Sequence, residues 1–408
     1  MDRSDQERVR TVALHGVERL RVESPHGDLS FEGYPGLVDT VQVEAGDDHA
    51  PPALVREGAT LVLRQEQGWP SGGDLVIRLP SEHALPITGI LGHGDVTFHR
   101  VSGPIEFTTG SGDIEVSGGA GAVTLSTGSG DVAILERAGE ITVHTGHGDV
   151  ELTRCQGGAR LELGSGDVAV SECAGALAVK SGHGDVEVVR ARGQAVRIEA
   201  RHGDVALEGG AIASLHVQLG SGNVSSDATL AAPAGHAGAA GADAGGDLAP
   251  GRYLVETGEG DVSFEVPRDL PLRVEIVTGG GDVESDVPLV SVRRPGPRSA
   301  ARRFVGATAG GDGERIDVTL KTGSGDVVLR VAGPAARVGP VTAEAGTVAP
   351  VAGESVPVPA DATAAAPDAA SRASDAEVRA ILEALERREL SVAEAELLLD
   401  ALTRRREC

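Results

Sequence analysis

A chain of 408 residues with 36 Lys and Arg against 61 Asp and Glu has a net charge of −25. It lacks the clustered cations that phosphate backbones require, which excludes nucleic acid and electrostatic attachment to anionic lipid as partners. Glycine is abundant at 58 residues and aromatics are scarce, with one Trp, two Tyr and five Phe, so any core is built from Val, Leu and Ile rather than from large rings.

The N-terminal stretch, Met1 to Arg10, is charged and carries no apolar signal region. No apolar run reaches the roughly 20 residues of a membrane helix. Both features predict a cytoplasmic protein. The first recognisable turn is His26-Gly27-Asp28-Leu29. From Asp95 onward the turn becomes periodic. G-x-G-D followed by Val, Ile or Leu recurs with Asp at 95, 113, 131, 149, 167 and 185, a constant step of eighteen. The next steps, to Asp204 and then to Asn223, are one longer. A fixed period of this kind is the signature of a repeat architecture.

The period divides in two. Glycines also recur midway between these turns, at Gly103, Gly121, Gly139, Gly157, Gly175 and Gly193. Apolar residues tend to take the second and fourth places after each glycine, as Ile114 and Val116 after Gly112, or Val123 and Leu125 after Gly121. An apolar-x-apolar triplet is a short strand with both apolar side chains on one face, and the glycine stretches supply tight turns. Two strands and two turns close one coil. A three-faced hexapeptide coil would space the apolar positions by six; the alternating gaps of two and seven favour two faces. Coils stacked about 4.8 Å apart predict two apolar files: Ile105, Val123, Ile141, Ala159, Leu177, Val196, Leu215 and Ile114, Val132, Val150, Val168, Val186, Val205, Val224.

Farther along, Gly260-Asp261-Val262, Gly281-Asp282-Val283 and Gly325-Asp326-Val327 extend the array. Val76-Ile77-Arg78-Leu79-Pro80 and Ser263-Phe264-Glu265-Val266-Pro267 match each other. Pro80 precedes Asp95 by the same interval as Pro267 precedes Asp282, which reads as a duplicated start of a sub-array. Residues 229–251, rich in Ala, Gly and Pro, read as a flexible loop inserted between coils, and Pro288 to Gly313 as an irregular excursion. The solenoid thus covers residues 1–332, and residues 333–373 form an aperiodic, disordered Ala/Pro linker. Residues 374–408 switch to helical period. Ser374 and Ser391 open capping boxes, followed by the stripes Val378, Ile381, Leu382, Leu385 and Val392, Leu398, Leu399, Leu402. Two helices this short do not bury their stripes alone, so this hairpin is expected to self-associate or bind a protein partner.

The G-S-G-D-V turns, the segment VPRDLPLRVEIVTGGGDV and the closing VGATAGGDGERIDVTLKTGSGDVVLR together resemble the putative-adhesin β-strand-repeat family of bacteria, a domain of unknown function, over about residues 10 to 331. The tail VRAILEALERRELSVAEAELLLDAL resembles the SHOCT-like helical hairpin of some members. The resemblance implies a right-handed parallel β-helix and a link to the cell envelope or its stress responses, and it supplies no catalytic residues. The fold class is therefore all-β, a parallel β-solenoid with one coil per repeat period, plus a small C-terminal α-hairpin.

For chemistry, the stacked column of Asp95, Asp113, Asp131, Asp149, Asp167 and Asp185 is a candidate for calcium. Its Asp follows Gly directly in only one turn per coil, and six to eight oxygens are hard to assemble that way; the bland reading has each Asp accepting backbone N–H bonds within its own turn. His183 and His202, just before the glycine on successive coils, are the candidate pair for a transition metal, weighed against exposed turn residues. Cys155 and Cys173, one repeat period apart, are expected to stack on adjacent coils as reduced thiols, because parallel Cβ vectors fit a disulfide poorly. No Walker loop, H-E-x-x-H or G-x-S-x-G elbow occurs, and the G-x-G pairs open no helix, so no cofactor is implied. The function expected is a non-catalytic scaffold, with a cation-binding solenoid as the alternative and a carbohydrate-active β-helix enzyme behind both.

Overall fold

The computed structural model of the chain describes residues 9–46, 52, 54–65, 74–230, 251–268, 270–292, 301–308 and 315–332. The loop at 231–250, the linker and the C-terminal hairpin fall outside them. Within the described residues every regular element is a strand, and the strands stack as coils with one strand in each of two sheets.

The apolar files are continuous. Ile114 pairs in parallel register with Val132, Val132 with Val150, and so on through Val168, Val186, Val205 and Val224. On the facing sheet Ile105, Val123, Ile141, Ala159, Leu177, Val196 and Leu215 follow one another in the same way. The alternation written in the sequence sets the burial: in Ile114–Ser117 the residues Ile114 and Val116 are buried while Glu115 is exposed. Each fully buried Val, Leu or Ile contributes roughly 1.5–3 kcal/mol, and β-branched side chains pack well on a pleated wall. At the corner opposite the Asp turn a third contact runs along the axis, as single parallel bridges through Ala120, Ala138, Gln156, Ala174 and Arg192.

The order of the coils departs from chain order at both ends. The strands Arg19–His26 and Leu29–Tyr34 lie between Thr60–Arg64 with Leu75–Pro80 on one side and Ile87–His93 with Val96–His99 on the other. The first coil of the chain is thus slipped between two coils that are consecutive in sequence. The far end repeats the arrangement: Ile316–Ser324 and Val327–Ala332, the last of the described strands, lie between Arg252–Glu259 with Val262–Pro267 and Leu272–Thr278 with Val283–Ser285. The matching Pro-ended segments therefore mark the same step in both arrangements. Pro80 and Pro267 end the strands from which the chain climbs two coil heights to leave room for the inserted coil. In both climbs a second proline accepts a bond from that coil, Pro86 from the Leu20 N–H at 2.9 Å and Pro271 from the Ile316 N–H at 3.0 Å. The inserted N-terminal coil is further fixed by Phe31, which stacks on Phe98 at a centroid distance of 4.6 Å and meets Phe107 edge-on at 6.1 Å.

Antiparallel strands close the array. Leu54–Glu57 pairs with Thr60–Arg64, and Thr40–Ala45 with Leu75–Pro80, followed by Val9–Ala13. At the other end Arg302–Ala307 pairs with Leu272–Thr278 and carries Leu289–Val292. The segment 288–313, expected to be irregular, thus contains two strands; its Arg and Pro content broke the repeat period without removing strand structure. Three of the four sheet ends thus finish in an antiparallel strand, which interrupts the template for adding a further coil, while among the described residues the fourth finishes in Val283–Ser285. The interruption after Asn223 also begins later than its composition implied, since Thr229–Leu230 still pairs with Ala211–Ile212.

Candidate functional site

The chemistry-bearing side chains run in columns along the two turns. The Asp turn is built the same way in each coil. Gly148, for example, has a φ of +133°, and a Cβ there would lie 2.2 Å from the carbonyl oxygen of Gly130 in the preceding coil. Both the backbone conformation and the closeness of the coils therefore require glycine. This compact turn brings each aspartate directly over the next.

Each Asp carboxylate reaches across one coil step. The Asp113 N–H donates to Asp95 Oδ1 at 2.9 Å, and the N–H groups of Asp131, Asp149, Asp167 and Asp185 each donate to the preceding Oδ1 at 2.8 Å. The column follows the spatial order of the coils: Asp95 donates to Asp28, Asp204 to Asp185, Asn223 to Asp204, Asp261 to Asn223, Asp326 to Asp261 and Asp282 to Asp326, all within 2.7–2.9 Å. The expectation that each Asp caps its own turn is corrected. Parallel stacking leaves the N–H of the following coil's Asp pointing at the carboxylate, and a charge-assisted bond to it offsets part of the repulsion between neighbouring acids.

The histidines stand two residues before the aspartates. His183 and His202 stack at a centroid distance of 5.0 Å, as do His26 and His93 at 5.7 Å. The Nδ1 atoms of His93, His147 and His202 lie 2.6, 2.6 and 2.7 Å from the hydroxyls of Ser111, Ser165 and Ser221 on the adjoining coils. The structure therefore brings the two candidate columns side by side on one exposed edge. Among the described residues no three His, Cys, Asp or Glu side chains converge as a metal cluster.

The opposite turn carries what sequence reasoning missed. Gly119, Arg137, Cys155, Cys173 and Ala191 occupy equivalent places on successive coils, each preceding a bridge residue. Arg137 is 1% exposed. Its guanidinium fills the space that Gly119 leaves and donates to four carbonyls, those of Val101 (2.6 Å), Gly103 (2.8 Å), Gly118 (3.1 Å) and Gly121 (3.2 Å). Among the described residues no carboxylate pairs with it, and burial pushes its pKa down to about 10. The signal was available: one long cation in a file of small residues. Cys155 is buried and Cys173 half-buried, stacked as expected, and both are free thiols. The Cys155 N–H donates to Cys173 Sγ at 3.4 Å. The neighbouring Cys173 side chain brings the Cys155 thiol down to about 7, while the neighbouring Cys155 side chain pushes Cys173 up. One residue earlier in each coil, Glu136, Arg154, Glu172 and Arg190 all adopt positive φ of 51–55°. They pair across coils, Arg154 with Glu136 and Arg190 with Glu172, each at 2.8 Å.

The apolar stripes expected to bind a partner, Val378, Ile381, Leu382, Leu385, Val392, Leu398, Leu399 and Leu402, lie outside the described residues.

The family model described as Toastrack DUF4097 matches residues 71–229 and 173–330. Two overlapping matches are what a repeat array gives, since one model fits in more than one register. Among solved structures, the chain is similar to a putative cell adhesion protein from Clostridium sporogenes, with 10% identity, a TM-score of 0.20, and coverage of 79% of this chain and 98% of that one. It is also similar to a putative adhesin from Bacteroides fragilis, with 14% identity, a TM-score of 0.24, and coverage of 79% and 95%. None of the curated proteins compared with the chain matches it.

Proposed function

Because the chain belongs to the Toastrack DUF4097 family, we propose that it is a non-catalytic solenoid scaffold that presents surfaces to a partner rather than transforming a substrate. The observation that carries this reading is the Asp column. From Asp95 to Asp185 its carboxylates recur at every coil step in one bonding pattern, Oδ1 to the next Asp N–H. An active site needs a small set of groups set apart from their neighbours in geometry and environment, whereas here the acids act alike, as joints between coils.

In this reading the solenoid is a stiff support, and the C-terminal stripes provide association, first with a second copy and otherwise with another protein. An envelope link, if the scaffold serves one, runs through that partner. The test is light scattering after size exclusion on the full chain and on the full chain carrying Leu398→Asp and Leu402→Asp. A larger assembly that falls to monomer in the variant supports tail-driven association. Equal masses remove the tail from the reading.

A second reading, a calcium-binding solenoid, draws on the same column, because one carboxylate per level stands in file. With Oδ1 of each already accepting an amide, the column offers few of the six to eight oxygens calcium takes. Thermal unfolding with and without calcium separates the two readings.

A further inference from the structure

The pair Cys155 and Cys173 is the feature that the scaffold reading leaves unused. Their sulfurs occupy equivalent places. Cys155 Sγ lies 3.5 Å from the Ile134 carbonyl oxygen and 3.6 Å from that of Thr153; Cys173 Sγ lies 3.6 Å from the Leu152 carbonyl and 3.3 Å from that of Ser171. Each is the same contact one coil later, so the sulfurs are separated by one coil step, about 4.8 Å. A disulfide needs roughly 2.05 Å, and no rigid stack brings two equivalent atoms that close. A single ion placed midway would instead sit about 2.4 Å from each sulfur, close to the roughly 2.3 Å of a zinc–thiolate bond, so each sulfur needs to move inward by only a few tenths of an ångström to make the shorter bonds of a two-coordinate ion.

From this spacing we propose that Cys155 and Cys173 form a two-coordinate site for a soft d10 cation of the Cu(I) class, held between adjacent coils. The ligand count selects the ion. Zinc takes four ligands in a structural site, and among the described residues no third His, Cys, Asp or Glu joins the pair. Thiolates favour Cu(I) over hard cations, and Cu(I) accepts a linear pair of sulfurs. Binding releases two protons to solvent and leaves a dithiolate complex of net charge −1, with no oxidant or reductant required. That anion would sit in the same file as Arg137, a buried cation hydrogen-bonded only to carbonyls.

The experiment uses the full chain with Cys408→Ser, purified without oxygen, given Cu(I) and then challenged with a chromogenic Cu(I) chelator. The expected result is one copper retained per chain, with X-ray absorption reporting two sulfur neighbours. Adding Cys155→Ala or Cys173→Ser should lower retention at least tenfold while circular dichroism stays β-rich. If Cys155→Ala fails to fold, the half-buried Cys173→Ser and the absorption spectrum still decide. Three or four neighbours in the spectrum, retention unchanged by Cys173→Ser, or copper stripped as readily as from a single-thiol peptide would each overturn the proposal.

Discussion

Asp131 Oδ1 accepts the backbone N–H of Asp149 at 2.8 Å across one coil step, and Asp149 Oδ1 does the same for Asp167 at 2.8 Å. The interaction uses the carbonyl-like geometry of the side chain, and Asn223 takes a place in the same column, accepting from Asp261 at 2.9 Å. Asp149→Asn should therefore leave stability unchanged or raise it, since it keeps the acceptor and removes a charge from a line of like charges. Asp149→Ala should lower it by about 0.5–1.5 kcal/mol, because the roughly 1.5–3 kcal/mol of a bond to a charged acceptor is partly offset by the relief of repulsion from neighbouring acids. Denaturant unfolding of the two variants checks this; equal losses would mean that the charge and not the acceptor is what the column uses.

The same column predicts the response to salt. Exposed acids one coil apart repel, and screening acts over a Debye length of about 10 Å at 0.1 M. Sodium chloride should raise the melting temperature, and calcium chloride at matched ionic strength should raise it by the same amount. A further rise specific to millimolar calcium would mean binding by linkage and would favour the calcium-binding solenoid over the plain scaffold.

The central coils were legible because one local rule, glycine then apolar-x-apolar, is repeated without competition. Positions 114, 132 and 150 stand in file for the reason the period implied: each coil closes on itself and buries only against its neighbours. The ends were not legible in the same way. Nothing in the residues of Leu29–Tyr34 states that they pair with both Leu75–Pro80 and Val96–His99, because that placement depends on contacts far apart in sequence. The shared trace was the Pro-to-Asp spacing at Pro80 and Pro267, which the sequence showed without showing that it spans a climb of two coil heights. At the candidate sites, sequence period placed Asp, His and Cys in columns. It did not say which N–H each Asp would face, nor that Arg137 would fold inward over Gly119, since both depend on the packing of one coil against the next.

The turn glycines are expected to differ sharply in tolerance. Gly148→Ala places a Cβ 2.2 Å from a backbone oxygen at a φ of +133°, where neither the clash nor the strain is relieved by a rotamer change. A loss of at least about 3 kcal/mol follows, seen as a lower melting temperature or as insoluble expression. Gly158→Ala, whose new Cβ would meet nothing closer than 3.8 Å, should stay within about 0.5 kcal/mol of the parent. Similar melting temperatures for the two variants would contradict the close approach of the coils at the Asp turn.

Arg137 tests whether a buried cation can be a structural joint. Its carbonyl acceptors lie in the turns of the two preceding coils, Val101 and Gly103 in one, Gly118 and Gly121 in the next. One side chain therefore ties three successive coils together. Arg137→Met keeps the bulk and removes the donors. Two effects oppose: the burial penalty of the charge disappears, and several buried carbonyls lose their partner at about 1–3 kcal/mol each. The second is larger because four acceptors are left by one deletion, so a net loss of roughly 2–4 kcal/mol is expected. Arg137→Lys should recover only part of it, since an ammonium carries three donors on a point charge and lacks the planar fork that spans separate carbonyls. Unfolding midpoints in the order parent, Lys, Met would support the joint; a Met variant as stable as the parent would mean that the four bonds merely balance the charge's desolvation.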